Sequence, residues 1–280
     1  MAGRGSLMTG GFGGAGLPLS SGFSRHGGHA TKPWTPLCGK GFVMAISLGQ
    51  RLLSHFYDPA QVIGRNRRQS RCLICGFEGR FLSFGNPPRR NALCPRCGAK
   101  ERQRLIKHWA NGMDRDPFAG KTVLHVAPDP AERLLLETAA RVETLDLARA
   151  NVDIRADLRA TGLAGDAYDI VLCNHVLEHI EDDRAAMAEI HRVLAPGGLA
   201  LLMVPICEAR EESYENAAIS DGHGRHQHFG QKDHVRVYGS DYRHRLMDAG
   251  FAIERYMAPP ADCIAFGLAF GEPLFIARKQ

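Results

Sequence analysis

The sequence predicts an α/β fold, a doubly wound and mostly parallel sheet with a small cysteine-bound module in front of it. Three observations predict it. Beyond residue 120, short apolar runs alternate with amphipathic segments at the spacing of βαβ units. Upstream stand two C-x2-C pairs, Cys72/Cys75 and Cys94/Cys97. Charge divides the same way: residues 1–110 hold 17 Lys+Arg against 3 Asp+Glu, and the remainder holds 18 against 27. A chain of 280 residues has room for one α/β domain plus one small module.

Residues 1–45 are rich in Gly and Ser without apolar periodicity, a composition that cannot offset its ordering entropy, so a disordered tail is expected. Its glycines interrupt every candidate secretory stretch, and Met44 opens a more protein-like segment. Residues 46–110 form the basic module. Two cysteines separated by two residues can place both sulfurs on one ion from a tight turn, and the second pair completes a tetrahedron. The interval 76–93 between the pairs falls in the zinc-ribbon range. Four thiolates on Zn²⁺ leave no open position, so Cys72, Cys75, Cys94 and Cys97 are expected to hold a structural zinc. Gly76 and Gly98, each just past a pair, suit turns that need φ > 0. Cys38, Cys173, Cys207 and Cys263 are scattered. Without an export signal they read as reduced thiols of a cytoplasmic protein. No run reaches the ~18 apolar residues needed to cross a bilayer, so no membrane partner is expected.

The basic excess crowds the module, with Arg89, Arg96, Lys100, Arg102, Arg104 and Lys107 among its members. Such a surface attracts polyanions. The alternative is that these cations pair with the acidic second half at the interface.

In the third part, residues 118–280, strands are predicted at 121–126, 142–146, 168–173, 199–204, 251–256 and 274–278. A helix is predicted over 131–140. A second is capped by Asp182 or Asp183, with Met187, Ile190 and Leu194 on one face and Pro196-Gly197-Gly198 closing it. Such alternation places ligands at the carboxyl ends of the strands.

Here a family resemblance becomes specific. Asp169-Ile-Val-Leu-Cys-Asn-His-Val-Leu-Glu-His-Ile180, then Arg192-Val-Leu-Ala-Pro-Gly-Gly198, and Arg245-Leu246 through Ala249-Gly250-Phe251 resemble the class I S-adenosylmethionine-dependent methyltransferases of the type 11 group. The resemblance covers roughly residues 120–280 and implies a Rossmann-like, seven-stranded sheet. The cysteine pairs followed by Glu101-Arg102, with Phe229-Gly-Gln-Lys-Asp-His-Val-Arg-Val-Tyr-Gly239, resemble a bacterial subgroup with an N-terminal zinc ribbon. What it implies is S-adenosyl-L-methionine as cofactor. The loop after the first strand, His125-Val-Ala127-Pro128-Asp129, would meet its methionine end. It departs from the family's acidic-x-Gly-x-Gly pattern, with Ala127 where the first glycine is expected. Asp146, ending the second strand, would accept the ribose hydroxyls. Asp157 with Leu158 would meet the adenine, Asp153 being the competing choice for the acid. Asn174 and His175 would pass the sulfonium end.

Methyl transfer to a nucleophile asks the protein mainly to align the acceptor and exclude water. A base is needed only for a hydroxyl or a protonated amine. His175, His179 and His234 are the candidate catalytic groups, with Glu178 beside them. On a helical turn His175 and His179 share a face at i, i+4. The order H-x-x-E-H also resembles the inverted zinc-protease signature, but no third ligand is evident. The segment 223–234, with His223, His226, His228 and His234, reads as a substrate-facing lid rather than a metal site. Arg236 and Tyr238 are its candidate acceptor contacts. The expected acceptor is a small metabolite or nucleotide-linked sugar, whose phosphates suit arginines. One alternative is RNA bound through the basic zinc front, although only Phe77, Phe81 and Phe84 are near enough to stack bases. Another is a non-catalytic interaction protein, motivated by the Ala127-Pro128 departure.

Overall fold

The computed structural model describes residues 69–85 and 87–280. The expected tail and residues 46–68 of the basic module lie outside the described residues. In the cysteine module β1 (Ser70–Arg71) pairs antiparallel with β2 (Glu78–Gly79), and β3 (Leu82–Phe84) with β4 (Arg89–Leu93). Helix α1 (Glu101–Asn111) follows. Then come β5 (Thr122–Val126), β6 (Arg141–Asp146), β7 (Ile154–Arg155), β8 (Tyr168–Asn174), α2 (Asp183–Val193) and β9 (Leu194–Met203). The chain ends with β10 (Tyr214–Glu215), α3 (Gly222–Phe229), β11 (Arg236–Val237), α4 (Tyr242–Asp248), β12 (Phe251–Tyr256), α5 (Pro260–Phe266) and β13 (Leu274–Lys279).

Seven strands form one sheet in the order β12-β13-β9-β8-β5-β6-β7. Only β13 runs antiparallel to its neighbours. The seven-stranded, mostly parallel sheet is therefore present, and a cluster of four cysteines precedes it. Its side chains alternate between two cores. Leu124, Val126, Val171, Cys173, Ala200 and Leu202 join Met187, Ile190 and Leu246 of α2 and α4 on one face. Val123, Ile170, Leu172, Leu201 and Ile276 join Leu105, Ile106 and Trp109 of α1 on the other. Both faces are covered, which is why the strands read as continuous apolar runs rather than alternating ones.

The helix expected over 131–140 is not formed; Glu132–Leu135 make one 3-10 turn and the rest is irregular. Helix α1, read from sequence as part of the basic module, supplies the cover instead. Its Leu105, Ile106 and Trp109 share a core with Val123, Leu135 and Leu136. The second expected helix is α2. Its cap is Asp182, whose Oδ1 accepts from the Ala185 N–H at 3.0 Å. Pro196-Gly197-Gly198 forms an excursion within β9, between the Leu194–Tyr168 and Leu199–Ile170 pairings. A Cβ on Gly198 would stand 2.8 Å from the Ala195 carbonyl and 3.0 Å from that of Asp169. Only glycine passes there.

The cysteine module is fastened to the sheet domain by Arg104. Its side chain is fully buried. Nε donates to the Phe266 carbonyl at 3.0 Å and Nη1 to that of Ala99 at 2.6 Å. Nη2 reaches the Ala92 carbonyl at 3.0 Å, and also that of Gly267. The guanidinium stacks 4.4 Å over the Phe81 ring. One cation thus joins β4, the start of α1 and the end of α5. The expected polyanion-facing position of Arg104 is overturned.

We expect Arg104→Met to strand these carbonyls and cost on the order of 3 kcal/mol, since hydrogen bonds to a charged donor each contribute ~1.5–3. The fall in melting temperature, followed by near-UV dichroism of the buried Trp109, checks it. Glu189 makes a second prediction. Its carboxylate accepts from the Thr161 N–H at 2.9 Å and from Arg192 Nε at 2.7 Å. Chiefly through Arg192, its pKa is held down at about 2 against an ordinary 4.5. A depressed pKa stabilises the fold above the unfolded value, and this contribution disappears as pH falls from 4.5 toward about 2. Over that window the melting temperature should fall less steeply in Glu189→Gln than in the parent.

Candidate active site

Strand order reverses between β5 and β8, because the chain runs outward through β6 and β7 and then returns to build β8 and β9. In an open α/β sheet that reversal opens a crevice at the carboxyl ends. His125, Ala127, Asn174 and His175 line up there at the ends of β5 and β8. Two of them are strained: Ala127 has φ 49° and His175 φ 55°. Ala127 occupies the left-handed conformation that a glycine would take without cost, which fits its place in the pattern.

Below the crevice lies a buried polar network. Glu132 Oε2 meets His125 Nε2 at 2.6 Å, and its Oε1 accepts from Asn174 Nδ2 at 3.1 Å and Gln103 Nε2 at 3.3 Å. Asn174 Oδ1 is buried with no protein donor. Sequence reasoning missed Glu132, which lay inside the supposed helix. At the end of β6, Asp146 Oδ1 accepts from the N–H groups of Ala148 and Arg149 at 2.8 and 2.9 Å. Its Oδ2 faces Arg149 Nε at 3.3 Å, and Arg149 Nη1 donates to the Pro128 carbonyl at 2.5 Å. Asp157 is gripped by its neighbour Arg159, Oδ2 to Nη2 at 2.6 Å, while Leu158 is buried. Asp153, the competing acid, is engaged by Thr144, whose N–H and Oγ1 donate at 2.9 and 2.7 Å.

Beside the crevice opens a cleft of about 550 Å³. One wall is the cysteine module and the start of α1, through Arg89, Lys100 and Arg102. The others are the end of β9, the end of α3 and the loop 269–273. His175 and His234 both line it. His175 Nδ1 lies 3.3 Å from Glu178 Oε1, and its Nε2 lies 3.5 Å from Glu272 Oε1. Burial works to lower the His175 pKa, but the two carboxylates outweigh it and raise it. Glu272 was invisible in the sequence, being one acid in a Gly/Pro-rich loop.

Several expected placements are corrected. His175 and His179 do not share a helical face: Leu177–His179 form a single 3-10 turn, and the left-handed His175 precedes it. His179 instead packs edge-on against His234, ring centroids 4.7 Å apart. The expected lid is largely helix α3, capped by Asp221, whose Oδ1 accepts from Gly224 N–H at 2.9 Å, and closed by Gly230 at φ 84°. Phe229, Gly230 and Gln231 of that segment do line the cleft. Tyr238 is fully buried, its hydroxyl donating to Asp183 Oδ2 at 2.7 Å, so it cannot touch an acceptor. Arg236 does line the cleft, but its donors are committed to Glu215 at 2.9 Å and to the Leu177, Ile180 and Glu181 carbonyls. Of the basic residues, Lys100 pairs with Asp129, which also has Arg102 at 3.8 Å; Arg89 pairs with Glu101 at 2.9 Å. Lys100 and Arg102 thus follow the interface alternative, whereas Arg89 pairs within the module.

The four expected metal ligands come together. The sulfurs of Cys72, Cys75, Cys94 and Cys97 lie within 4.8 Å of one another. Cys72–Cys97 and Cys75–Cys94 are 3.7 and 3.6 Å apart. A tetrahedron with Zn–S of about 2.3 Å has edges of roughly 3.8 Å, so the donor set fits zinc. Gly76 and Gly98 take the expected positive φ, 70° and 73°. Among the described residues no helix is long and apolar enough to cross a membrane.

Comparison with known proteins agrees with this reading over part of the chain. Residues 112–202, from the end of α1 to β9, match the family model for a methyltransferase domain, Methyltransf_11. An uncharacterized 37.1 kDa protein in transposon TN4556 of Streptomyces fradiae is 30% identical over 116 residues, 41% of this chain and 32% of that protein. The chain thus spans about a third of that relative's length. Among solved structures, an S-adenosylmethionine-dependent methyltransferase from Mesorhizobium loti is 21% identical, covering 62% of this chain and 98% of its own, with a TM-score of 0.44. The 1,6-didemethyltoxoflavin-N1-methyltransferase of Burkholderia thailandensis is 18% identical, covering 58% of this chain and 72% of its own, with a TM-score of 0.41. Residues 112–202, which hold the crevice between β5 and β8, are thus similar to a methyltransferase domain.

Proposed function

We propose that this protein transfers a methyl group from S-adenosyl-L-methionine to an oxygen or nitrogen of a small anionic acceptor bound in the cleft. One observation supports the acceptor class above the others. The cleft, about 550 Å³, is walled by the cysteine module and carries Arg102 and Lys100 among its lining, with His175. That volume suits a small ligand. Arg102 Nε is buried with no protein acceptor, a donor ready for a phosphate or carboxylate. A nucleotide-linked sugar meets both conditions. The burial of Arg104 against main-chain carbonyls removes one cation from any RNA-facing surface.

The cofactor, when bound, supplies a methyl group already activated by a positive sulfur. The chain's residues then have three tasks. Asp146 would exchange the Arg149 guanidinium for the ribose hydroxyls without losing its backbone hydrogen bonds. Asn174 Oδ1, now without a donor, would accept a hydrogen bond near the methionine end, above the loop of His125, Ala127 and Pro128. Asp157 and Leu158 would border the adenine. His175 would hold or take the acceptor's proton, positioned by Glu178 and Glu272. The cysteine cluster would hold structural zinc and keep Arg89, Lys100 and Arg102 in the cleft wall.

Calorimetry with S-adenosylhomocysteine on zinc-loaded protein should show binding, and Asp146→Ala should weaken it about tenfold, the equivalent of ~1.4 kcal/mol. No binding by the parent would overturn the assignment. Transfer of labelled methyl from the cofactor into the small-molecule fraction of a cell extract should follow, and label appearing only in RNA would reassign the acceptor. Cofactor binding without any transfer would favour the interaction protein. For Cys94→Ser, zinc should be lost and turnover should fall more steeply than cofactor affinity. Affinity should also fall by a few fold, because Lys100 and Arg102 brace Asp129 beside the cofactor loop.

A further inference from the structure

Glu178 lies on the 3-10 turn after β8 and is 1% exposed, yet neither of its carboxylate oxygens receives a hydrogen bond. A buried carboxylate without donors is among the most costly groups a fold can carry, unless a cation meets it. Arg236 passes nearby but commits its donors to Glu215 and to backbone carbonyls. Beside Glu178, in addition to His175, are two further imidazoles. Ligand atoms of Glu178, His179 and His234 all lie within 4.8 Å of one another. His179 Nδ1 faces the Asp233 carbonyl at 3.1 Å and its carboxylate at 3.5 Å, so the neutral tautomer that donates there keeps a lone pair on Nε2. A carbonyl in that position is the usual outer support of a metal-binding histidine. The pieces are also held rigidly. Val235 N–H donates to the Glu178 carbonyl at 2.9 Å, tying the chain next to His234 to the turn that bears the other two groups.

We propose that Glu178, His179 and His234 bind a divalent first-row transition ion. Two imidazoles and one carboxylate suit zinc, iron, cobalt or nickel rather than magnesium or calcium, which prefer all-oxygen shells. Unlike the closed cysteine cluster, this set of three leaves coordination positions open, and His234 lines the acceptor cleft. An open position there would take an oxygen or nitrogen of the acceptor. That role rests on the methyl-transfer reading; the binding of the ion does not. The competing account is that a protonated His175, 3.3 Å from Glu178, neutralises the carboxylate alone.

Cobalt distinguishes the two. Protein whose cysteine cluster is filled with zinc is titrated with Co²⁺ and followed by visible absorption and metal content. The expected result is one further Co²⁺ with the bands of nitrogen and oxygen ligation and no thiolate charge transfer. His179→Ala, at the more exposed ligand, and His234→Ala should each weaken binding at least tenfold while zinc content and melting temperature stay near those of the parent. No further Co²⁺ bound by the parent, or binding unchanged in both variants, overturns the proposal and leaves His175 as the counter-charge. If Co²⁺ binds as expected and the protein transfers no methyl group to any extract fraction, the site stands and the transfer reading falls.

Discussion

Much of the structure depends on one buried guanidinium. Among the described residues Arg104 forms no ion pair with a carboxylate; its hydrogen bonds go to main-chain carbonyls from three separate segments. A carboxylate partner could swing on its own side chain, whereas carbonyls of β4 and the end of α5 are fixed by their own backbone. The contact therefore sets orientation as well as cohesion. Because β4 belongs to the cysteine module and α5 to the sheet domain, the two cannot drift apart while Arg104 stays buried. Phe81 closes one face of the cation, and Gly267, at φ 61°, leaves room for it: a Cβ there would come within 2.9 Å of the Phe81 ring. Arg89, Lys100 and Arg102 reach the cleft only because this junction holds their backbone beside the sheet.

Two further networks follow the same logic of local charge meeting fixed partners. Asp183 gathers Arg245 Nη1 at 3.0 Å and the Tyr238 hydroxyl at 2.7 Å, while Glu215 bridges Arg245 and Arg236 at 2.9 Å each. This cluster binds the β10–β11 pair to α2 and α4, and so supports the wall that presents His234. The second network lies under the crevice. Where the resembling family carries an acid at the end of its first strand, this chain has His125, and Glu132 returns the carboxylate from the following turn. The same carboxylate holds Asn174 and Gln103. A carboxylate thus stands beside the end of β5, supplied by the following turn rather than by the strand itself.

These networks explain what the sequence made legible and what it did not. The cysteine pairs were readable because metal geometry is imposed over two residues at a time. The strands of the sheet were readable because both faces are buried, which leaves apolar runs. β7 was not, since two paired residues make no pattern. The helix expected over 131–140 failed because α1, distant in sequence, already covers that face of β5. Helix α3 was missed for the opposite reason: its residues are nearly all polar, and only its caps, Asp221 and Gly230, announce it. Arg104 was counted as one basic residue among many. Nothing local marks an arginine whose partners are carbonyls at positions 91, 92, 99, 266 and 267. Candidate-site residues such as Asn174 could be placed at strand ends from the apolar runs before them, whereas their side-chain pairings depended on loops such as 269–273.

The rigid junction also constrains how the crevice can open. A site between two mobile bodies can admit its ligand by hinge motion. Here the module and the sheet share Arg104, and the loop after β5 is braced by Lys100 through Asp129. Opening must therefore be local. The element placed to move is Arg149, about half exposed, which spans from Asp146 to the Pro128 carbonyl across the mouth of the crevice. Its guanidinium makes only surface contacts, which cost little to break, while Asp146 stays fixed by the N–H groups of Ala148 and Arg149. The Asp146 carboxylate is thus oriented by its backbone hydrogen bonds alone, and under the proposed function the exchange of one exposed side chain for ribose hydroxyls would leave that orientation unchanged. Orientation at this end of β6 resides in the backbone, and the side chain spanning it is a single half-exposed arginine.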